Sequence, residues 1–107
     1  MKIAARVENS GSHHQVSLVT DGVAHPLIVP ARASGPGSSV NGGELLFLAL
    51  ATCYCNDVYR EAAKRGVTVT GVEVEVDGDF GREGEPAGNV KYHAKVTGPA
   101  GRKRFAS

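Results

Sequence analysis

The alternation of apolar and polar positions divides the chain into short strands around one long helix. Gln15 to Thr20 places Val16, Leu18 and Thr20 on one face and Ser17 and Val19 on the other, a period of two that marks a strand. Lys2 to Glu8 alternates more weakly and reads as the strand before it, with Asn9-Ser10-Gly11-Ser12 as the turn between. Asp21-Gly22 tolerates positive φ and signals a hairpin. Ala24 to Val29 is the returning strand, and Pro26, which cannot donate to a ladder, puts it at an edge. After Gly66 the alternation is clearest. Val67 and Val69, then Val72, Val74 and Val76, interleave with Thr68, Thr70, Glu73, Glu75 and Asp77, as in a sheet wet on one side. Gly78 to Gly88 reads as a polar hairpin loop. Asn89 to Thr97 reads as the return strand, with Val90, Tyr92, Ala94 and Val96 on one face, and Gly98-Pro99 ends it.

Between these groups lie a loop from Pro30 to Gly43, rich in Gly, Ser and Pro, and a helix from about Gly43 to Arg65. Asn41 is a fitting cap, Glu44 suits the positive end of the helix dipole, and Gly66 after Lys64-Arg65 suits the C′ position. The first half of the helix, Leu45 to Ala51, is apolar on every side. The second half is amphipathic, with Val58, Ala62 and Ala63 inward and Arg60, Glu61, Lys64 and Arg65 outward. The predicted fold is α+β, an antiparallel sheet of about five strands packed against a long central helix in a single domain over 1–107. One sheet cannot cover a helix that is apolar all round. A second copy of the chain supplies the missing cover, so a homodimer with a large apolar interface is expected.

Composition narrows the function classes. The 107 residues carry a formal charge of +1, too little to steer the whole chain to nucleic acid or a membrane. The basic run Arg102-Lys103-Arg104 reads as a solvated, frayed end. The longest apolar run is far too short to span a bilayer, and no signal peptide opens the chain. Two cysteines, Cys53 and Cys55, without an export signal point to free thiols in the cytoplasm. His13, His14, His25 and His93 show no metal-ligand spacing and read as surface residues. Gly35-Pro36-Gly37 and Gly42-Gly43 lead into a helix, but no phosphate-binding or dinucleotide motif accompanies them, so no cofactor is expected. Tyr54 and Tyr59 read as packing residues.

The segment Gly42-Gly43-Glu44-Leu45-Leu46-Phe47-Leu48-Ala49-Leu50-Ala51-Thr52-Cys53 resembles the helix of the OsmC/Ohr family: a Glu-Leu-Leu opening, an apolar run with small residues and a cysteine at its end. Ala62 to Val67 and Val72 to Val76 continue the likeness, as does the preceding Gly/Pro/Ser loop, so that it covers roughly residues 12 to 97. The resemblance implies an intertwined homodimer. It also implies a thiol peroxidase acting on organic hydroperoxides, in which a reactive thiolate attacks the peroxide and a second cysteine resolves the sulfenate. Cys53 matches the reactive cysteine and Glu44 the glutamate at the helix start. The family's activating arginine is expected near the first hairpin, where this chain has Gly11-Ser12-His13-His14; Arg32 in the loop is the substitute at hand. The resemblance implies that the resolving cysteine belongs to a second long helix and the strands around it, expected to lie past the matched part, so turnover is expected to draw on an external thiol or on a cysteine of a partner chain.

The residues themselves constrain that chemistry. Glu44 precedes Cys53 by nine residues, about 13 Å along a helix, and reaches a Cys53 only across a dimer. Asn56, Asp57 and Arg60 share the Cys53 face. Arg60 favours a thiolate there, Asp57 opposes it, and the two are expected to pair. Cys55, two residues on, points to the opposite side and cannot close a disulfide with Cys53 in an intact helix. Two functions stay open at this point: a hydroperoxide reductase, or a non-catalytic dimer that binds a small apolar molecule.

Overall fold

The computed structural model describes residues 1–99 and 101–106. Its elements are β1 (Ile3–Ser10), β2 (His13–Thr20), β3 (Val23–His25), α1 (Gly42–Lys64), β4 (Gly71–Phe80), β5 (Ala87–Gly98) and β6 (Gly101–Ala106). The α+β class holds, with one helix among the described residues. The strands, however, form two antiparallel sheets of three, β1-β2-β3 and β4-β5-β6, rather than one sheet of five. The chain divides into two compact units, Met1–Gly42 and Gly43–Ser107, each with its own sheet.

In the first unit, β1 and β2 pair from Ile3↔Thr20 to Ser10↔His13 around the Gly11-Ser12 turn. The second hairpin has Asp21 at φ 48° and Gly22 at φ 80°, both positive, as a two-residue type I′ turn requires. β3 stops at His25, short of the Ala24–Val29 strand that the alternation suggests, because Pro26 removes a donor. Val29 is nonetheless buried. The Gly-rich loop folds back on itself through an Ala31↔Ser38 bridge and the Arg32 N–H to Gly37 carbonyl bond of 2.9 Å. Asn9 fastens it to β1 by donating to the Gly37 carbonyl and accepting from the Gly37 N–H, both at 3.3 Å.

In the second unit, α1 lies against the even-numbered face of its sheet. The register sets Val72 opposite Val96, Val74 opposite Ala94 and Val76 opposite Tyr92, and Ala94 is 2% exposed. Phe47 of α1 stacks on Phe80 with centroids 5.6 Å apart, and Tyr54 meets Tyr92 at 5.7 Å. The odd-numbered face is charged: Glu73 pairs with Lys95 at 3.4 Å and Asp77 with His93 at 3.3 Å. β4 and β5 run past the polar loop read from the sequence, to Phe80 and from Ala87. A bulge lets this happen: the register shifts between Asp77 and Asp79, and Asn89 takes φ 52° while its side chain donates to Asp79.

Three further expectations are corrected. Val67 and Val69 lie outside any strand; the Val67 N–H instead caps α1 by bonding the Ala62 carbonyl at 2.9 Å. The basic end is not frayed but forms β6, paired with β5 from His93↔Ala106 to Gly98↔Gly101, its charges exposed along a sheet edge. No residue of α1 is buried within one chain: Leu46 is 47% and Leu48 52% exposed, and Ala63 faces out as well. No helix among the described residues is long and apolar enough to cross a membrane.

Candidate functional site

The site is built on the sheet-facing side of α1. Small and apolar residues at helical spacing, Phe47, Leu50, Tyr54, Val58 and Ala62, turn toward the sheet and hold the helix in place. Gly78 makes this fit possible, since a Cβ there would come within 3.0 Å of both the Phe47 ring and the Gly88 carbonyl. Cys53 sits at the margin of that stripe, one residue before Tyr54, and is exposed; Cys55 is half-buried, and both thiols are free. Leu50, Cys53, Tyr54, Asp57 and Tyr92 together line a shallow cleft of about 270 Å³. Cys53 therefore lines a hollow whose other walls are two tyrosines, a leucine and the carboxylate residue Asp57. A nucleophile with apolar and aromatic walls can meet a small organic molecule without a charged anchor.

The polar groups at this site are few. Asp57 lies one turn beyond Cys53, and Arg60 donates to its carboxylate in an i,i+3 ion pair with both side chains more than half exposed. The Thr52 hydroxyl, beside Cys53, donates to the Leu48 carbonyl at 2.7 Å and is occupied by its own helix. Glu44 is in the first turn of α1, already engaged in a contact. Nine residues separate it from Cys53, about 13 Å of helix rise. Arg32 belongs to the first unit, where its guanidinium carbon lies 3.7 Å from where a Gly37 Cβ would stand. Of the residues singled out in the sequence, the structure thus sets Cys53 and Arg60 on one helical face, with Asp57 between them and bound to Arg60, and leaves Glu44 at the far end of the same helix. No three His, Cys, Asp or Glu side chains among the described residues gather as metal ligands.

Sequence reasoning missed two walls of the cleft. Tyr92 lies 39 residues after Cys53 and reaches it only because β5 pairs with β4 under α1; its sequence signal was an aromatic on the apolar face of a strand. Leu50 lies in a uniformly apolar run, in which nothing distinguishes the residue one turn before the cysteine.

Comparison with known proteins supplies the remaining observation. The family model described as OsmC-like protein matches residues 35–106, well over half of the chain. This chain belongs to the OsmC-like protein family. The match starts in the Gly-rich loop and takes in α1 and all of β4-β5-β6, so the whole cleft of this OsmC-like chain lies inside it. The hairpin strands β1 to β3 lie outside it, and the likeness seen from residue 12 onward is supported only from residue 35. No curated protein and no solved structure gives a significant match.

Proposed function

We propose that this OsmC-like chain reduces organic hydroperoxides, with Cys53 as the nucleophile and an external thiol as the reductant. The observation that carries this reading is the exposed Cys53 thiol at an aromatic-walled cleft on the helix the family model matches. The thiolate attacks one peroxide oxygen, the O–O bond breaks, and the alkoxide leaves as the alcohol after taking a proton. Cys53 is then a sulfenic acid. An external thiol displaces water from it to give a mixed disulfide, and a second thiol releases Cys53 as its free thiol together with the external disulfide. Cys55 does not take this part, because residues two apart on a helix face away from each other.

The working unit in this reading is a homodimer in the cytoplasm, where thiol reductants are available. What supports the dimer is the exposure of Leu46 and Leu48 on the outer face of α1, with only Val29 and Ala94 buried among the described residues. Glu44 of the partner subunit would then support Cys53, since Glu44 of the same helix is too far along it. Arg60, on the same helix as Cys53, is the cation this unit offers, and it is bound to Asp57.

The test is consumption of cumene hydroperoxide in the presence of dithiothreitol or a dihydrolipoyl donor. Cys53→Ser should lose turnover to the uncatalysed background. A Cys53→Ser variant as active as the parent would end this reading. One observation favours the second reading, a non-catalytic dimer that holds a small apolar molecule. Arg60 is already taken by Asp57, and Asp57 with Glu61 and Arg65 borders a hollow of about 520 Å³ whose other walls, among them Tyr54, Val58, Val96 and Phe105, are mostly apolar. In that case iodoacetamide would alkylate Cys53 no faster than an ordinary exposed thiol, and no turnover would be seen.

A further inference from the structure

We infer that the Asp57–Arg60 ion pair is a positioning device that sets the nucleophilicity of Cys53, Asp57 holding it down and Arg60 relieving that restraint. The inference rests on Cys53 being the reacting group proposed above. Asp57 is the one acidic side chain lining the cleft of Cys53, one helical turn from the sulfur, where Cβ atoms lie about 5–6 Å apart. A carboxylate at that separation opposes negative charge gathering on sulfur. Arg60 lies three residues further on and is bound to that carboxylate rather than aimed into the cleft, whose lining does not include it. Its effect on Cys53 therefore passes through Asp57. Both partners are more than half exposed, so the control is moderate and open to screening by salt.

The two charges make opposite demands, and this separates a functional pair from a helix staple. Asp57→Asn removes the restraint and frees a guanidinium about two turns from the sulfur. Arg60→Gln leaves the carboxylate uncompensated. A pair that served only to hold α1 together would give the same sign for both, since fraying the helix exposes the thiol in either variant.

The experiment follows iodoacetamide alkylation of the full chain near neutral pH in a Cys55→Ser background, so that Cys53 is the one thiol read. In low salt, Asp57→Asn should raise the rate about threefold and Arg60→Gln lower it about threefold. Arg60→Lys, which keeps the cation, should stay near the parent. At about 0.5 M salt the differences should shrink toward none. Shifts of the same sign, no shift in either variant, or differences that salt leaves intact would overturn the inference. If the opposite shifts appear while the parent consumes no cumene hydroperoxide, the hydroperoxide reading fails and the control of the thiol stands.

Discussion

At the residue scale the proposed chemistry depends on what surrounds one sulfur. Cys53 has apolar and aromatic neighbours on the sheet side and one carboxylate a turn away. Tyr92 forms a wall of that cleft and is held by Tyr54, so it contributes apolar contact to any organic group lodged there. Tyr92→Ala should raise the KM for cumene hydroperoxide about fivefold or more with a smaller change for a compact substrate such as tert-butyl hydroperoxide, measured by steady-state kinetics. Cys53, Glu44, Asp57 and Arg60 could all be placed from sequence, because helical spacing fixes their mutual positions once the helix is recognised. Tyr92 could not, because its place depends on the register of a strand far along the chain. Arg32 was legible only as a residue type; the loop that holds it takes its shape from a bridge and an Asn9 clamp that no local pattern announces.

At the scale of elements, the ends of α1 show how far local signals reach. Gly66 takes φ 65°, its N–H bonds the Ala63 carbonyl at 3.3 Å and the next N–H, of Val67, bonds that of Ala62. This is a Schellman cap, and the glycine after Lys64-Arg65 foretold it. Gly66→Ala should cost about 1–2 kcal/mol, read as a lower urea midpoint at unchanged slope. The same cap explains why Val67 is no strand residue despite its alternation with Thr68: its donor is spent on the helix. β6 was missed for a related reason. Arg102, Lys103 and Arg104 look like a solvated tail, and only pairing with β5 makes them an edge strand whose charges guard its open side. The bulge at Asn89 hid the full length of β4 and β5 in the same way, since glycines and acidic residues on both sides read as loop.

At the scale of the molecule, the greatest demand comes from surface left uncovered. Two sheets of three strands and one helix leave Leu46 and Leu48 open, along with Phe80 and Phe105. The proposed dimer answers that demand, and light scattering should give the mass of two chains. Leu48→Glu places a charge in the interface and should shift the protein toward single chains, with loss of turnover if Glu44 acts across the seam. The most direct measurement is of the sulfur itself. The protein is given one equivalent of cumene hydroperoxide with dimedone present, and the adduct is located by mass spectrometry in Cys53→Ser and Cys55→Ser variants. Rapid labelling of Cys53 in the Cys55→Ser protein, with little at Cys55 in the other, is the expected result. Equal labelling of the two cysteines, or none at Cys53, would contradict it.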